Sequence, residues 1–168
     1  MIEDSFGTVM EFAVALAGFS AVAIALSHDP GTMAPLDRFR ALNLLINSLG
    51  AGFGASFVLI GVAFGARDAL LWQMTSAGVS LVAIACAAVP LVLRARLSPA
   101  DKGRLSRVLW VLAIGGNPLL VAIQLANIAG LFGSPSPGPI MASLIWLLFF
   151  SALLFVRMLV NRPASPPA

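Results

Sequence analysis

The stretch VLWVLAIGGNPLLVAIQLANIAGLFGSPSPGPIMASLIWLLFFSALLFV, residues 108–156, carries no charged residue along its 49 positions. A helix needs roughly 20 apolar residues to cross a hydrocarbon core of about 30 Å, so this stretch is long enough for two crossings. The segment GSPSPGP near its middle, residues 133–139, has the glycines and prolines of a turn. The stretch therefore predicts a hairpin of two membrane-spanning helices.

Three further apolar segments precede this hairpin. The chain is 60% hydrophobic and only 10% charged, whereas soluble domains are about 25% charged. The apolar runs lack period-2 alternation, which favours helices over a closed barrel. We expect an all-α, polytopic membrane protein with one domain over residues 1–160 and a disordered proline-rich tail over 161–168. The five predicted transmembrane helices cover about 5–26, 39–65, 69–93, 108–132 and 139–160.

The basic residues predict an orientation. Nine of the ten Lys and Arg residues fall on one side of the predicted bundle, and only Arg67 falls on the other, with the acidic N-terminus. Since Lys and Arg accumulate on the cytoplasmic side, we expect the N-terminus outside and the C-terminus inside a bacterial-type inner membrane. The expected partners are the lipid bilayer and either further copies of this chain or a larger membrane complex, with no nucleic acid. A cleaved signal peptide is the alternative for the first span, but its acidic start, MIEDS, disfavours this.

The motif inventory predicts neither an enzyme nor a cofactor. The sequence contains no GxSxG, HExxH, P-loop or GxGxxG pattern. Its single histidine, His28, lies with Asp29 in the first loop, where we expect solvated side chains and no metal site. The single cysteine, Cys86, is expected to be a small buried core residue.

One acidic residue, Glu11, interrupts the first span about 9 Å from its outer end, at 1.5 Å per residue. An ionisable residue inside a span is by default a functional candidate. We expect a neutral, titratable acid that hydrogen-bonds to amides, because no cation lies in the outer half of another span. The amide and hydroxyl side chains at a similar depth complete a predicted binding and proton-coupling layer: Glu11, Gln73, Ser76, Gln124, Asn127 and Ser143. The alternative is that these groups only join helices by hydrogen bonds, at about 0.6 kcal/mol each.

The position of Glu11 resembles that of the glutamate in the first helix of the small multidrug-resistance transporters. The resemblance rests on this one position, in a chain that is longer and has no tyrosine. It implies that Glu11 couples protons to the movement of a substrate.

Two glycine motifs predict features of the backbone. Proline removes a helical hydrogen bond, so GGNP in the fourth span, Gly115, Gly116, Asn117 and Pro118, predicts a helix break near mid-membrane. Glycines at GxxxG spacing let helices approach closely. The second span therefore predicts a packing stripe, inside the subunit or between subunits, that consists of Gly50, Gly54, Gly61, Gly65, Asn43 and Asn47.

Two functions are consistent with these features. The first is a transporter or channel, or a subunit of one, for a small ion or solute, with Glu11 as its protonatable group. The second is a non-catalytic assembly or accessory subunit, whose glycine and alanine faces mediate oligomerisation or docking to a partner complex.

Overall fold

The computed structural model describes residues 2–27 and 34–160. In this part of the chain there are six helices and no strand: α1 (Ile2–Ser27), α2 (Pro35–Ala63), α3 (Asp68–Ala95), α4 (Pro99–Gly103), α5 (Arg107–Ile128) and α6 (Pro137–Val160). All except α4 are long and apolar enough to cross a membrane. The prediction of an all-helical chain with five long apolar helices is confirmed. His28, Asp29 and the predicted tail at 161–168 lie outside the described residues.

Two helices end earlier than the sequence predicted. After α2, Gly65 adopts a left-handed φ of 75°, and after α5, Gly130 adopts a φ of 69°. Beyond each glycine, the next amide returns to the helix: Ala66 N–H donates to Gly61 O and Leu131 N–H to Ala126 O, both at 2.9 Å. This is the Schellman motif, in which glycine tolerates the conformation that stops a helix. The helices therefore stop at residues 63 and 128 rather than at 65 and 132.

A short helix, α4, lies in the charged connection between α3 and α5, outside the five helices that the sequence predicts. Ser98 caps it by accepting a hydrogen bond from Asp101 N–H at 3.1 Å, and Pro99 occupies its first turn. Proline suits this position because the missing N–H has no helical partner there. Leu97, just before the cap, is buried against Leu36 and Phe39 of α2. The connection is thus attached to the bundle.

Helix α2 is central and packs against α1, α3 and α6, while α3 also packs against α5. Its glycines face these neighbours closely. A Cβ atom on Gly50 would lie 2.8 Å from Cys86 Sγ, and one on Gly54 would lie 2.5 Å from Leu144 Cδ2. Gly61 is equally close to a side chain of α3. These three glycines therefore pack inside the chain.

The other members of the predicted stripe lie in two different environments. Gly65 is in the turn after α2 and has open space where a Cβ would be. Asn43 and Asn47 are buried, and Asn47 Nδ2 donates to Asn43 O at 2.7 Å and to Asn43 Oδ1 at 2.9 Å. The stripe is thus continuous from Asn43 to Gly61 and stops there.

The expected helix break at GGNP does not interrupt α5, which is helical from Arg107 to Ile128. Proline removes one backbone hydrogen bond, and the flanking turns maintain the helix. The two glycines before Pro118 differ in their surroundings. Gly115 is exposed with no atom near its would-be Cβ, whereas a Cβ on Gly116 would lie 2.7 Å from Trp146 Nε1.

We therefore expect Gly116→Ala to destabilise the bundle and Gly115→Ala to leave it at least as stable. The added methyl at 116 must displace an indole ring, and overpacking of this kind costs about 1–3 kcal/mol. The measurement is thermal unfolding of each purified variant in the same detergent. Equal unfolding temperatures for the two variants would contradict the packing of α5 on α6 described here.

Candidate functional site

A cluster of amide and hydroxyl side chains joins α5 and α6 near the turn between them. Gln124 Nε2 donates to Ser143 Oγ at 2.7 Å and to Pro139 O at 2.9 Å. Ser143 Oγ in turn donates to Pro139 O at 3.0 Å. Both side chains are fully buried, so the bonds form in an environment without competing solvent.

Asn127 extends this cluster to α3 and to the turn. Its Nδ2 donates to Ser76 Oγ and to Ser136 O, both at 2.9 Å, and its Oδ1 accepts from Ser136 N–H at 3.1 Å. Gln73, half-buried one turn away on α3, donates from Nε2 to Ile128 O at 3.3 Å. One amide side chain thus holds three segments together. We call Gln73, Ser76, Gln124, Asn127 and Ser143 the amide cluster.

The chemistry of the amide cluster is that of a structural junction. Each of its amide nitrogens donates to a protein oxygen, which leaves few donors for a ligand. One acceptor of the cluster remains unpaired: Gln124 Oε1 is buried and has no hydrogen-bond partner among the described residues. The arrangement ties α3, α5 and α6 together at one end of the bundle.

Glu11 is separate from the amide cluster. It is exposed on α1, among the exposed side chains of Phe12, Ala15 and Phe19. It forms no hydrogen bond or ion pair with any residue of the described ranges. At 100° per residue, Glu11 is 180° around the helix from Ser20, which is buried. The structure therefore brings five of the six predicted layer residues together and leaves Glu11 facing away from its own bundle.

The small residues of α1 divide between the two faces of the helix. Ala13 and Ala17 are buried, and Ser48 Oγ of α2 donates to Ala13 O at 2.7 Å. Ala15 and Gly18 are exposed on the side of Glu11. Only the first pair is used to pack α1 on α2.

The other end of the bundle contains a cation–aromatic contact that the sequence did not predict. The Arg94 guanidinium carbon lies 4.1 Å from the centroid of the Trp110 ring. Arg94 Nε is buried and lacks a hydrogen-bond partner among the described residues, and the ring face offers the guanidinium a favourable electrostatic contact. A basic residue that ends one span and an aromatic residue that begins the next were the available sequence signal.

The described residues contain no group of three or more His, Cys, Asp or Glu side chains that could hold a metal ion. Searches with protein-family models, curated proteins and solved structures gave no match to this chain. The functional interpretation therefore depends on the geometry alone.

Asn127→Ala should destabilise the protein more than Gln73→Ala does. The first change removes three hydrogen bonds and leaves the Ser136 backbone groups without partners, at a cost of about 1–3 kcal/mol. The second removes one bond of 3.3 Å from a half-buried side chain. Thermal unfolding in detergent compares them, and a larger loss for Gln73→Ala would show that Asn127 is not the residue that holds the three segments together.

Proposed function

We propose that this chain is a five-span integral membrane protein that acts as a non-catalytic subunit and assembles with a second copy through the exposed face of α1. The exposed apolar side chains of the five long helices support membrane insertion, among them Phe19, Phe53, Leu81, Val111 and Phe149. All cations of the described residues except Arg67 lie at one end, which supports a cytoplasmic location for that end. We call it the basic end.

The observation that carries the assembly proposal is the exposure of Glu11. In the proposed bilayer, α1 would present this carboxyl group to lipid about 9 Å from the outer end of the span. An ionisable side chain is costly there, up to about 2.5–3.5 kcal/mol, the cost of a charge at the span centre. Its own bundle offers no compensating contact among the described residues. A second chain against this face would supply hydrogen-bonding groups and would remove the side chain from lipid.

The surface beside Glu11 supports a second copy as that chain. A groove between α1 and α2 is lined by Ala13, Gly52, Phe53 and Ser56, and a would-be Cβ on Gly52 lies only 3.3 Å from Ala13 Cβ. Phe53, on the α2 side of this groove, has 65% of its surface exposed. A two-fold interface requires a knob and a matching recess on the same surface. This face has both.

Cysteine cross-linking tests the assembly. In a Cys86→Ala background, Ala15→Cys should give disulfide-linked dimers in membranes, at a yield that persists when the protein is diluted with lipid. Leu81→Cys is the control, because Leu81 is 67% exposed on α3, away from the proposed face. Adding Glu11→Leu to Ala15→Cys should lower the yield. Similar yields for the two cysteine positions would overturn the proposal.

Proton-coupled movement of a small ion or solute is the second candidate function. The specific observation in its favour is that the exposed polar group is a titratable acid, while the amide cluster uses only neutral side chains. At a subunit interface, an acid can exchange protons where a glutamine can only donate and accept hydrogen bonds. This function requires the same assembly.

Proton flux separates the two functions. Proteoliposomes that contain pyranine and carry a valinomycin-imposed potassium potential would show proton entry above that of empty vesicles if Glu11 conducts. Glu11→Gln should then abolish the flux while Ala15→Cys cross-linking remains. Absence of flux in the unmodified protein, with cross-linking intact, would leave assembly as the function and contradict coupling.

A further inference from the structure

The basic end contains a cleft between α2, α5 and α6 that the proposed function does not use. Apolar side chains form most of its wall, including Phe39, Leu109, Phe150 and Leu154. Helices α5 and α6 are held together at their opposite ends by the amide cluster. We call this the basic-end cleft.

Two arginines and an asparagine add polar groups to this wall. Arg40 Nη1 bonds to Asp37 Oδ1 at 3.0 Å, which leaves the other guanidinium N–H groups available. Arg157 forms no ion pair with any described residue. Asn43 is buried, with 5% of its surface exposed, and its Nδ2 donates no hydrogen bond within the described ranges. Three sets of donors thus line one side of an apolar cleft.

We infer that the basic-end cleft binds an anionic phospholipid, with its phosphate at Arg40 and Arg157 and an acyl chain along the apolar wall. Guanidinium groups bind phosphate oxygens through paired N–H donors. Basic pockets between membrane helices on the cytoplasmic side suit anionic headgroups. Charge complementarity selects this occupant, because the two arginines and Asp37 leave a net positive charge. The inference rests on the proposed membrane location and is independent of the α1 interface.

The position of the arginines supports a lipid over a soluble phosphate. Arg157 is in the last turn of α6, and Arg40 is in the second turn of α2, so both lie where headgroups meet the hydrocarbon region in the proposed orientation. Below them, Ala113 and Phe150 continue the cleft as apolar surface. A free phosphate would use the arginines and leave that surface uncovered.

Trp110 lines the cleft and provides a direct reporter. In a Trp72→Phe, Trp146→Phe background, Trp110 is the only tryptophan. We expect phosphatidylglycerol brominated in its acyl chains to quench Trp110 with about fivefold higher apparent affinity than brominated phosphatidylcholine, the factor that corresponds to about 1 kcal/mol for one net basic residue. Millimolar inorganic phosphate should leave the quenching unchanged.

Matched arginine variants complete the test. Arg157→Gln should remove the preference for phosphatidylglycerol, whereas Arg104→Gln, at an exposed position of the same end, should keep it. Equal affinity for both lipids in the unmodified cleft, or equal loss in the two variants, would overturn the site. Competition by phosphate would assign the arginines to a soluble anion. Absence of quenching by either lipid would instead contradict the membrane location.

A folding defect caused by the two tryptophan substitutions is excluded by native mass spectrometry of the chain that keeps all three tryptophans. Retention of phosphatidylglycerol over phosphatidylcholine should follow the same order: unmodified and Arg104→Gln above Arg157→Gln. A bound-lipid pattern that ignores Arg157 would contradict the inference by an independent readout.

Discussion

Close approach of three helices to α2 is the constraint on which the bundle depends. Gly50 faces α3 and Gly54 faces α6, where a Cβ would lie 2.8 and 2.5 Å from a neighbouring side chain, and Gly52 faces α1 at a tight 3.3 Å. Between apolar helices in lipid, association depends on van der Waals contact rather than on the removal of water, so small residues at the contact are decisive. Because α2 has glycine at these three contacts, α1, α3 and α6 can all pack closely against it.

The two ends of the bundle differ in how their polar and charged side chains are paired. At one end, Schellman turns and the amide cluster pair most polar groups within the chain, and the single side chain of Asn127 bonds to two other segments. At the basic end, cationic side chains are spread over the surface and the wall of a cleft, and the Arg94 guanidinium lies over the Trp110 ring. The first end holds helices together, whereas the second leaves groups that can interact with something outside the chain.

The sequence was sufficient to find the five long helices, because the lengths of the uncharged runs match a helical crossing. Depth along the helices also grouped Ser76, Gln124, Asn127 and Ser143, whose side chains hydrogen-bond in pairs in the structure, although their role stays a prediction. The sequence did not indicate which face of α1 carries Glu11, the packed face or the exposed one. Alanine and glycine occur on both faces of α1, and in a membrane helix apolar character does not distinguish a lipid face from a packed face. Helix α4 was missed because charge outweighed the Ser98–Pro99 start signal.

The hydrogen bonds of the α5–α6 hairpin also bear on the order in which the chain can assemble. Gln124 bonds to Pro139 and Ser143 across 15 and 19 residues, and Asn127 bonds to Ser136 across nine. The bond from Asn127 to Ser76 spans 51 residues. Closing a short loop orders less chain than closing a long one. During synthesis the hairpin can therefore form these bonds as an independent unit, and docking onto α3 then adds two more, between Asn127 and Ser76 and between Gln73 and Ile128 O.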